Sequence, residues 1–310
     1  MAKLGWLAAL GLQALTPASA GTLREQWAER MAAGRGTEPS GESGSAANSG
    51  AFPLPMGASV ERDIAYGDDP AQRLDVYRPA HAEGAPVILM VHGGGWRLGD
   101  KGMLRTVKNK VTHWVGKGFV LISVNYRMLP EARPIEQAHD VAEALAFSQG
   151  KAKTWGADPA RFVLVGHSSG AHLVSLLTAD PELATRSGAK LWLGTVSLDS
   201  AAFDVVSIMR AQHFGLYDKA FGKDPGYWHD ASPLHQLNGK LAAPMIAVCS
   251  NRRSDSCTQA QAFAAKASNL GGRVVVLPVD LSHGDVNDQL GTAGPYTEGV
   301  ESFMRTLGLP

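Results

Sequence analysis

Ser168 lies in the pattern Gly166-His167-Ser168-Ser169-Gly170, in which glycines frame a serine. An apolar run precedes the pattern and a helical apolar pattern follows it, so the sequence predicts a strand, a tight turn and a helix. The two glycines allow the backbone to double back closely. The hydroxyl would then stand at a strand end, beside the free N–H groups of a helix N-terminus, which favour a developing negative charge. These features suit Ser168 as a nucleophile.

A serine hydroxyl must lose its proton as it attacks, so Ser168 needs a base and the base needs a carboxylate. His283 follows the last predicted strand and is the expected base. Asp255 follows the preceding strand and is the preferred carboxylate, because it combines a strand end with the chain order Ser168, Asp255, His283. The alternatives that remain open are Asp199, Asp280 and Asp285.

A glycine-rich loop, His92-Gly93-Gly94-Gly95-Trp96, follows another predicted strand. Since no side chain blocks its approach, the N–H groups of Gly94 and Gly95 are expected to form an oxyanion hole with the N–H of Ser169. Trp96 and His167 are candidate substrate contacts. Trp96 would equally serve as an anchor for its loop. For the histidines near Ser168, which are His167 and His172, the preferred interpretation is structural: one shapes the turn and the other packs in the helix.

Metal and nucleotide chemistry have weaker support in the sequence. The 10 histidines include no pair at zinc-ligand spacing beside a carboxylate or cysteine, so we predict no catalytic metal. The glycines at 93–95 and 99 resemble a nucleotide-binding turn. However, the next predicted strand ends at Asn125, where a ribose would need an acidic residue, and no G-K-[ST] follows. We therefore predict no cofactor.

Buried apolar runs that alternate with helical patterns must position these residues. The predicted strands are 60–66, 74–78, 86–91, 120–124, 162–166, 191–198, 244–249 and 273–279, and the predicted helices outside the Ser168 pattern include 103–116, 135–149, 258–270 and 296–307. Continuous apolar strands are typical of parallel sheets covered on both faces, and the first two strands predict an antiparallel hairpin. The sequence therefore predicts an α/β fold with a mostly parallel, doubly wound, eight-stranded sheet.

One long connection, residues 200–243, breaks the alternation of strands and helices. It is rich in aromatic residues, and a structureless loop of this length is unusual, so we expect short helices. The segment is a candidate lid over a substrate pocket. Packing in the core would explain the same aromatic residues.

The chain of 310 residues suits one large α/β domain. Its 29 basic and 29 acidic residues balance, which argues against nucleic acid or an anionic membrane as a partner.

Residues 1–20 combine Lys3, a short apolar run and Ala18-Ser19-Ala20, which predicts a removed secretory signal and no membrane span. We expect a periplasmic or secreted protein, with a short helix and flexible linker at 21–56 and a catalytic domain at 57–310.

Cys249 and Cys257 are the two cysteines of the chain. In an oxidising compartment, an isolated close pair of this kind favours a disulfide. Two free thiols are the alternative.

Several motifs together resemble one known family across about residues 60–308. They are His92–Trp96, Ser123–Arg127 with Leu129–Ala132, the pattern around Ser168, Asp230–His235, and the loop at His283-Gly284. With them the chain resembles α/β-hydrolases of the secreted carboxylesterase group, near the hormone-sensitive-lipase-like and feruloyl-esterase-like branches.

This resemblance implies a serine carboxylic-ester hydrolase that acts through an acyl-enzyme on short-to-medium acyl or aryl esters. It implies Ser168, Asp255 and His283 as nucleophile, acid and base, and Gly94, Gly95 and Ser169 as oxyanion donors. The alternatives are an amide or formamide hydrolase similar to arylformamidases, and a non-catalytic secreted binding module. The sequence leaves the acyl and alcohol preference and the oligomeric state open.

Overall fold

The computed structural model describes residues 50–200 and 202–310. Its strands are β1 (Ser59–Ala65), β2 (Arg73–Arg78), β3 (Ala85–Val91), β4 (Val120–Val124), β5 (Ala157–His167), β6 (Gly194–Leu198), β7 (Met245–Ser250) and β8 (Val274–Val279). Within these residues they form an eight-stranded sheet in the order β1-β2-β4-β3-β5-β6-β7-β8.

Helices connect most of these strands. They are α1 (Leu104–Lys110), α2 (Pro134–Lys151), α3 (Ser169–Ala179), α4 (Pro181–Arg186), α5 (Val205–Arg210), α6 (Gly215–Phe221), α7 (Pro225–Asp230), α8 (Pro233–Gln236), α9 (Ser256–Asn269), α10 (His283–Asp288) and α11 (Pro295–Arg305). A π-helical turn (Val111–Val115) continues α1, and a 3₁₀ turn (Ala152–Trp155) continues α2.

The sheet changes from antiparallel to parallel along its width. Strand β2 pairs antiparallel with both β1 and β4, whereas every pair from β4 to β8 is parallel. Parallel neighbours need crossover connections, and most of the helices supply them. The predicted fold class, with its opening hairpin and doubly wound sheet, is confirmed.

Successive residues of β3 pack on opposite faces of the sheet, as the period of a strand requires. Leu89 packs in the same cluster as Leu145 of α2 and Leu173 of α3. Met90 packs in a second cluster with Val107 of α1. Because helices cover both faces, the central strands are largely apolar, which is why they can be recognised in the sequence.

The predicted short helices between residues 200 and 243 are present as α5 to α8. Phe203 and Phe221 of this segment are buried, and Phe214 is exposed. The segment therefore contributes to the core and also presents an aromatic side chain to solvent.

The predicted signal segment at 1–20 and most of the predicted segment at 21–56 lie outside the described residues. From residue 50 onward, leaving aside residue 201, the structure has no helix with the length and apolar character that crossing a membrane requires.

Candidate active site

Ser168 forms the turn between β5 and α3. Its φ of 54° and ψ of −117° lie in a region that costs a non-glycine residue about 1–3 kcal/mol. Two hydrogen bonds hold it there: its N–H donates to the Leu198 carbonyl (3.0 Å), and its carbonyl accepts from the N–H of His172 (3.0 Å). The predicted strand, turn and helix are confirmed, and the hydroxyl stands at the carboxyl end of β5.

The glycines of this turn are required by close backbone contacts. A Cβ at Gly166 would lie 2.3 Å from the Gly170 carbonyl oxygen, and a Cβ at Gly170 would lie 2.4 Å from that of His92. Such distances leave no room for a side chain. The pattern G-x-S-x-G is therefore dictated by close contact within the turn at Gly166 and by packing against the end of β3 at Gly170.

His283 begins α10 and lies between a serine and a carboxylate. Its Nε2 is 2.9 Å from the Oγ of Ser168, and its Nδ1 is 2.6 Å from the Oδ2 of Asp199. A carboxylate oxygen accepts, so Nδ1 carries the proton and Nε2 is free to accept from the serine hydroxyl. These three side chains form a continuous chain of hydrogen bonds.

The carboxylate beside His283 is thus Asp199, and the preference for Asp255 is corrected. Asp255 lies five residues beyond the end of β7, directly before α9, and its side chain is 50% exposed, with Arg253 4.0 Å away. Two other candidates also make local bonds elsewhere: Asp280 accepts from Arg252, and Asp285 accepts from Ser282. Asp199 has the required place because it follows β6 without an intervening loop.

A signal for Asp199 exists in the sequence. It is a charged residue that directly follows the predicted strand at 191–198. It also satisfies the chain order of nucleophile, acid and base. In the sheet β6 lies beside β5, and His167 pairs with Leu198, so Ser168 and Asp199 are the next residues on adjacent strands.

Asp199 is buried and extensively bonded. Its Oδ1 accepts from the N–H of Ser250 (2.7 Å) and from the hydroxyl of Ser256. Burial alone would raise the pKa of this carboxyl, but the hydrogen bond from His283 and the positive charge of Arg253 outweigh burial and hold the pKa below its usual range. Asp199 is therefore ionised at neutral pH.

A disulfide joins Cys249 and Cys257, with an S–S distance of 2.05 Å, as predicted. The loop that it closes contains Arg253. The Nη1 atom of Arg253 lies 3.0 Å from the Oδ2 of Asp199 and 2.9 Å from the Nδ1 of His283. The loop after β7 therefore reaches the site through an arginine, although its aspartate does not.

The glycine-rich loop after β3 packs against the serine turn. A Cβ at Gly93 would lie 2.9 Å from the Cβ of Ser168, and one at Gly94 would lie 1.9 Å from the carbonyl oxygen of Leu98. Gly94 and Gly95 have φ values of 130° and 61°, which favour glycine. Ser169, whose N–H is the third predicted donor, begins α3, where N–H groups have no partner within the helix.

Trp96 is buried behind this loop. Its Nε1–H donates to the Nδ1 of His172 (3.2 Å), and the Nε2–H of His172 donates to the Ala231 carbonyl (2.7 Å). Burial lowers the pKa of His172 to about 4, so the ring is neutral. These contacts support the anchoring role of Trp96 and tie the loop to the segment at 200–243.

His167 lies beneath the base. It is 1% exposed, its Nε2–H donates to the carbonyl of His283 (2.9 Å), and the two rings are 4.7 Å apart. Burial lowers the pKa of His167 well below its usual value. The expectation that His167 contacts substrate is therefore corrected, since its ring is enclosed and supports His283.

Among the described side chains, no group of three or more His, Cys, Asp or Glu residues is arranged to hold a metal ion. Ser168, His283 and Asp199 are instead bonded to one another. Acid–base and nucleophilic chemistry are what the arrangement can perform.

Residues 74–195 match the family model named BD-FAE. A probable isoprenylcysteine alpha-carbonyl methylesterase of Oryza sativa subsp. japonica is 32% identical over 38% of this chain and 27% of its own length. Esterase LipC of Mycobacterium tuberculosis is 28% identical over 62% of this chain and 50% of its own length. Esterase LipQ of the same organism is 28% identical over 76% of this chain and 61% of its own length. The chain thus spans less than two thirds of the length of these relatives.

Solved esterase structures share the fold. Esterase B from Lactobacillus Rhamnosis is 20% identical, with a TM-score of 0.68 over 93% of both chains. Thermogutta terrifontis esterase 2 is 21% identical, with a TM-score of 0.66 over 83% of this chain and 97% of that one.

Proposed function

Because the chain shares the fold of solved esterases and its residues 74–195 match the family model BD-FAE, we propose that it is a serine carboxylic-ester hydrolase of the α/β-hydrolase type that works through an acyl-enzyme on Ser168. One observation carries the proposal: the Oγ of Ser168 is 2.9 Å from the Nε2 of His283, whose Nδ1 is 2.6 Å from Asp199. Three side chains of the required types, in the required order of bonds, point to nucleophilic catalysis.

The reaction begins when the Oγ of Ser168 attacks the ester carbonyl carbon and His283 takes the hydroxyl proton at Nε2. The imidazolium that forms is stabilised by Asp199, which is already ionised. The N–H groups of Gly94, Gly95 and Ser169 donate to the oxyanion of the tetrahedral intermediate. One such donor typically lowers the barrier by about 3 kcal/mol.

The intermediate collapses when the C–O bond to the alcohol breaks and His283 returns its proton to the leaving oxygen. Water then enters, His283 removes a proton from it, and the hydroxyl attacks the acyl carbon. The second collapse releases the carboxylic acid and returns the proton to Ser168. Each proton taken by the imidazole is given back within one half-reaction.

We place the substrates among short-to-medium acyl or aryl esters. Helix α6 of the segment at 200–243 lies over the oxyanion loop: a Cβ at Gly95 would be 4.0 Å from the Cδ1 of Leu216, and the ring of Tyr217 is 5.8 Å from that of Trp96. Apolar and aromatic side chains at this position favour apolar groups on the substrate. We propose that this segment is the lid.

We also propose that the mature protein is periplasmic or secreted. The pattern at residues 1–20 supports this, and the disulfide between Cys249 and Cys257 suits an oxidising compartment. Expression of the full chain with its natural N-terminus, followed by mass determination of the exported product, should find cleavage after Ala20. An uncleaved cytoplasmic product would contradict this assignment.

The test of the activity is hydrolysis of p-nitrophenyl acetate, butyrate and octanoate by the wild type and by Ser168→Ala. The matched control is Ser302→Ala, an exposed serine of α11. We expect Ser168→Ala to lose nearly all activity and Ser302→Ala to keep it. A fluorophosphonate should add one mass increment to the wild type and none to Ser168→Ala. Equal ester hydrolysis by the wild type and Ser168→Ala would overturn the proposal. Faster hydrolysis of N-formylkynurenine than of any ester would assign a formamide hydrolase instead.

A further inference from the structure

Given the proposed function, on which this inference rests, we propose that Arg253 is a positioning residue that fixes the Asp199 carboxylate against His283. Among the described atoms, Nη1 of Arg253 contacts Asp199 at two places: it donates to Oδ2 (3.0 Å) and to the main-chain carbonyl (3.1 Å). One nitrogen that bonds both the side chain and the backbone of the same residue restricts rotation about its side-chain torsions.

The third contact of Nη1, 2.9 Å to the Nδ1 of His283, has a simple geometric cause. Both nitrogens carry a hydrogen when the imidazole has its Nδ1 proton, and both donate to the same atom, the Oδ2 of Asp199. The arginine and the base therefore share one acceptor. Arg253 fixes the position of the Oδ2 of Asp199, and that oxygen in turn orients His283.

Asp199 needs such support because its backbone is strained. Its φ is 52°, in the left-handed region, which L-residues rarely adopt. The Oδ1 atom is held by the N–H of Ser250 and the hydroxyl of Ser256. Arg253 completes the set by holding Oδ2 and the carbonyl. Both carboxylate oxygens thus depend on residues 250–256.

These three supporting residues lie between Cys249 and Cys257. The disulfide links the end of β7 to the start of α9, at a sequence separation of 8, so the loop cannot open widely. The outer arm of Arg253, Nη2, lies 4.0 Å from Asp255. The loop therefore carries an arginine that faces inward to the triad and an aspartate on its exposed side.

The charge of Arg253 by itself does not help the base, because a cation near His283 opposes formation of the imidazolium. The benefit lies in the position of the carboxylate. A displacement of about 1 Å in a catalytic group can cost about 10²-fold in rate. We therefore expect loss of Arg253 to lower kcat, with little change in KM, because its hydrogen bonds to Asp199 act through the triad.

The experiment compares Arg253→Ala and Arg253→Lys with Arg252→Ala, using p-nitrophenyl butyrate. Arg252 is the matched control, because it is the neighbouring arginine, is 54% exposed and pairs with Asp280 on the surface. We expect kcat of Arg253→Ala to fall by about 10²-fold with KM within about threefold. Arg252→Ala should equal the wild type. Millimolar guanidinium should restore part of the kcat of Arg253→Ala, and Arg253→Lys should exceed Arg253→Ala, because a single nitrogen, Nη1, makes both hydrogen bonds to Asp199.

A kcat of Arg253→Ala within about threefold of the wild type would overturn the inference. The inference would also be overturned if kcat falls in Arg253→Ala and neither added guanidinium nor the variant Arg253→Lys restores it. That result would indicate a structural role only. If circular dichroism shows that Arg253→Ala is unfolded, the comparison of Arg253→Lys with Arg253→Gln replaces it. Equal kcat values for those two variants would then refute the proposal that Arg253 positions Asp199. A wild type no faster than Ser168→Ala would instead remove the proposed function, and with it this inference.

Discussion

Asp199→Asn is the most informative substitution, because the surroundings of Asp199 dictate how the amide must sit. Two donors, the N–H of Ser250 and the hydroxyl of Ser256, face Oδ1, and an oxygen satisfies both of them. Oδ2 faces Arg253 and His283, and of these two the imidazole can present an acceptor by changing its tautomer. The amide nitrogen then takes the place of Oδ2, 2.6 Å from the Nδ1 of His283. It donates to Nδ1, so the imidazole proton moves to Nε2 and faces Ser168.

In that tautomer His283 cannot accept the hydroxyl proton. For a base held in the wrong tautomer we expect kcat to fall by about 10⁴, which corresponds to about 5 kcal/mol of barrier. KM should stay within about threefold, because Asp199 is buried and does not line the substrate site. Asp255→Asn makes the same chemical change on a half-exposed side chain, and it should stay within about twofold of the wild type.

The assay is steady-state hydrolysis of p-nitrophenyl butyrate at neutral pH by the wild type, Asp199→Asn, Asp255→Asn and Ser168→Ala, with folding checked by circular dichroism. Ser168→Ala sets the floor of the measurement. If Asp199→Asn keeps more than about a tenth of the wild-type kcat, or if Asp255→Asn loses more than Asp199→Asn, the assignment of Asp199 as the acid is wrong.

Three further predictions concern stability. The pKa of His172 falls from 6.5 in the unfolded chain to about 4 in the folded protein because of burial. The unfolded state therefore binds more protons between these values, and this contribution to stability is complete above pH 6.5 and is lost as the pH falls to about 4. The loss amounts to about 3 kcal/mol. Urea unfolding should show a smaller loss for His172→Gln, and an unchanged pH dependence would count against a neutral buried His172. Gly170→Ala should destabilise by more than about 3 kcal/mol because its Cβ would meet the His92 carbonyl oxygen, whereas Gly150→Ala in the open helix α2 should stabilise by up to about 1 kcal/mol; similar melting temperatures for the two variants would contradict this. The native protein should react with iodoacetamide only after reduction, and Cys257→Ser should lower the free energy of unfolding by about 2.5 kcal/mol; labelling without reductant would show that the bridge is absent.

The sheet could be predicted because its signal is local and strong. Strands such as β3 and β4 are buried along their whole length, and strands buried on both faces are near-continuous apolar runs. The turn at Ser168 could be predicted for a related reason. A Cβ at either of its glycines would lie less than 2.5 Å from a backbone oxygen. Other residue types are therefore excluded there, and the pattern can be recognised in the sequence.

The acid could not be fixed in this way. The sequence shows that Asp199 and Asp255 each follow a strand, but the direction of a side chain after a loop depends on the path of that loop. Residues 251–255 carry Asp255 to the surface, whereas Asp199 has no loop to displace it. The role of His167 was missed because a histidine next to a nucleophile gives no sign in the sequence of whether it faces solvent or the interior.

The pairing of His167 with Leu198 is the last rung between β5 and β6, and the nucleophile and the acid are the next residue of each strand. Their separation is then a property of the β-ladder, whose strands are spaced by about 4.8 Å, and it should resist thermal motion as well as the ladder does. The base is different, because it stands on a short helix outside the sheet. Ser168 and Asp199 are thus held by the sheet, and His283 is the residue of the three that we expect to move most. On warming, activity should disappear when α10 loosens, while the sheet itself is still intact.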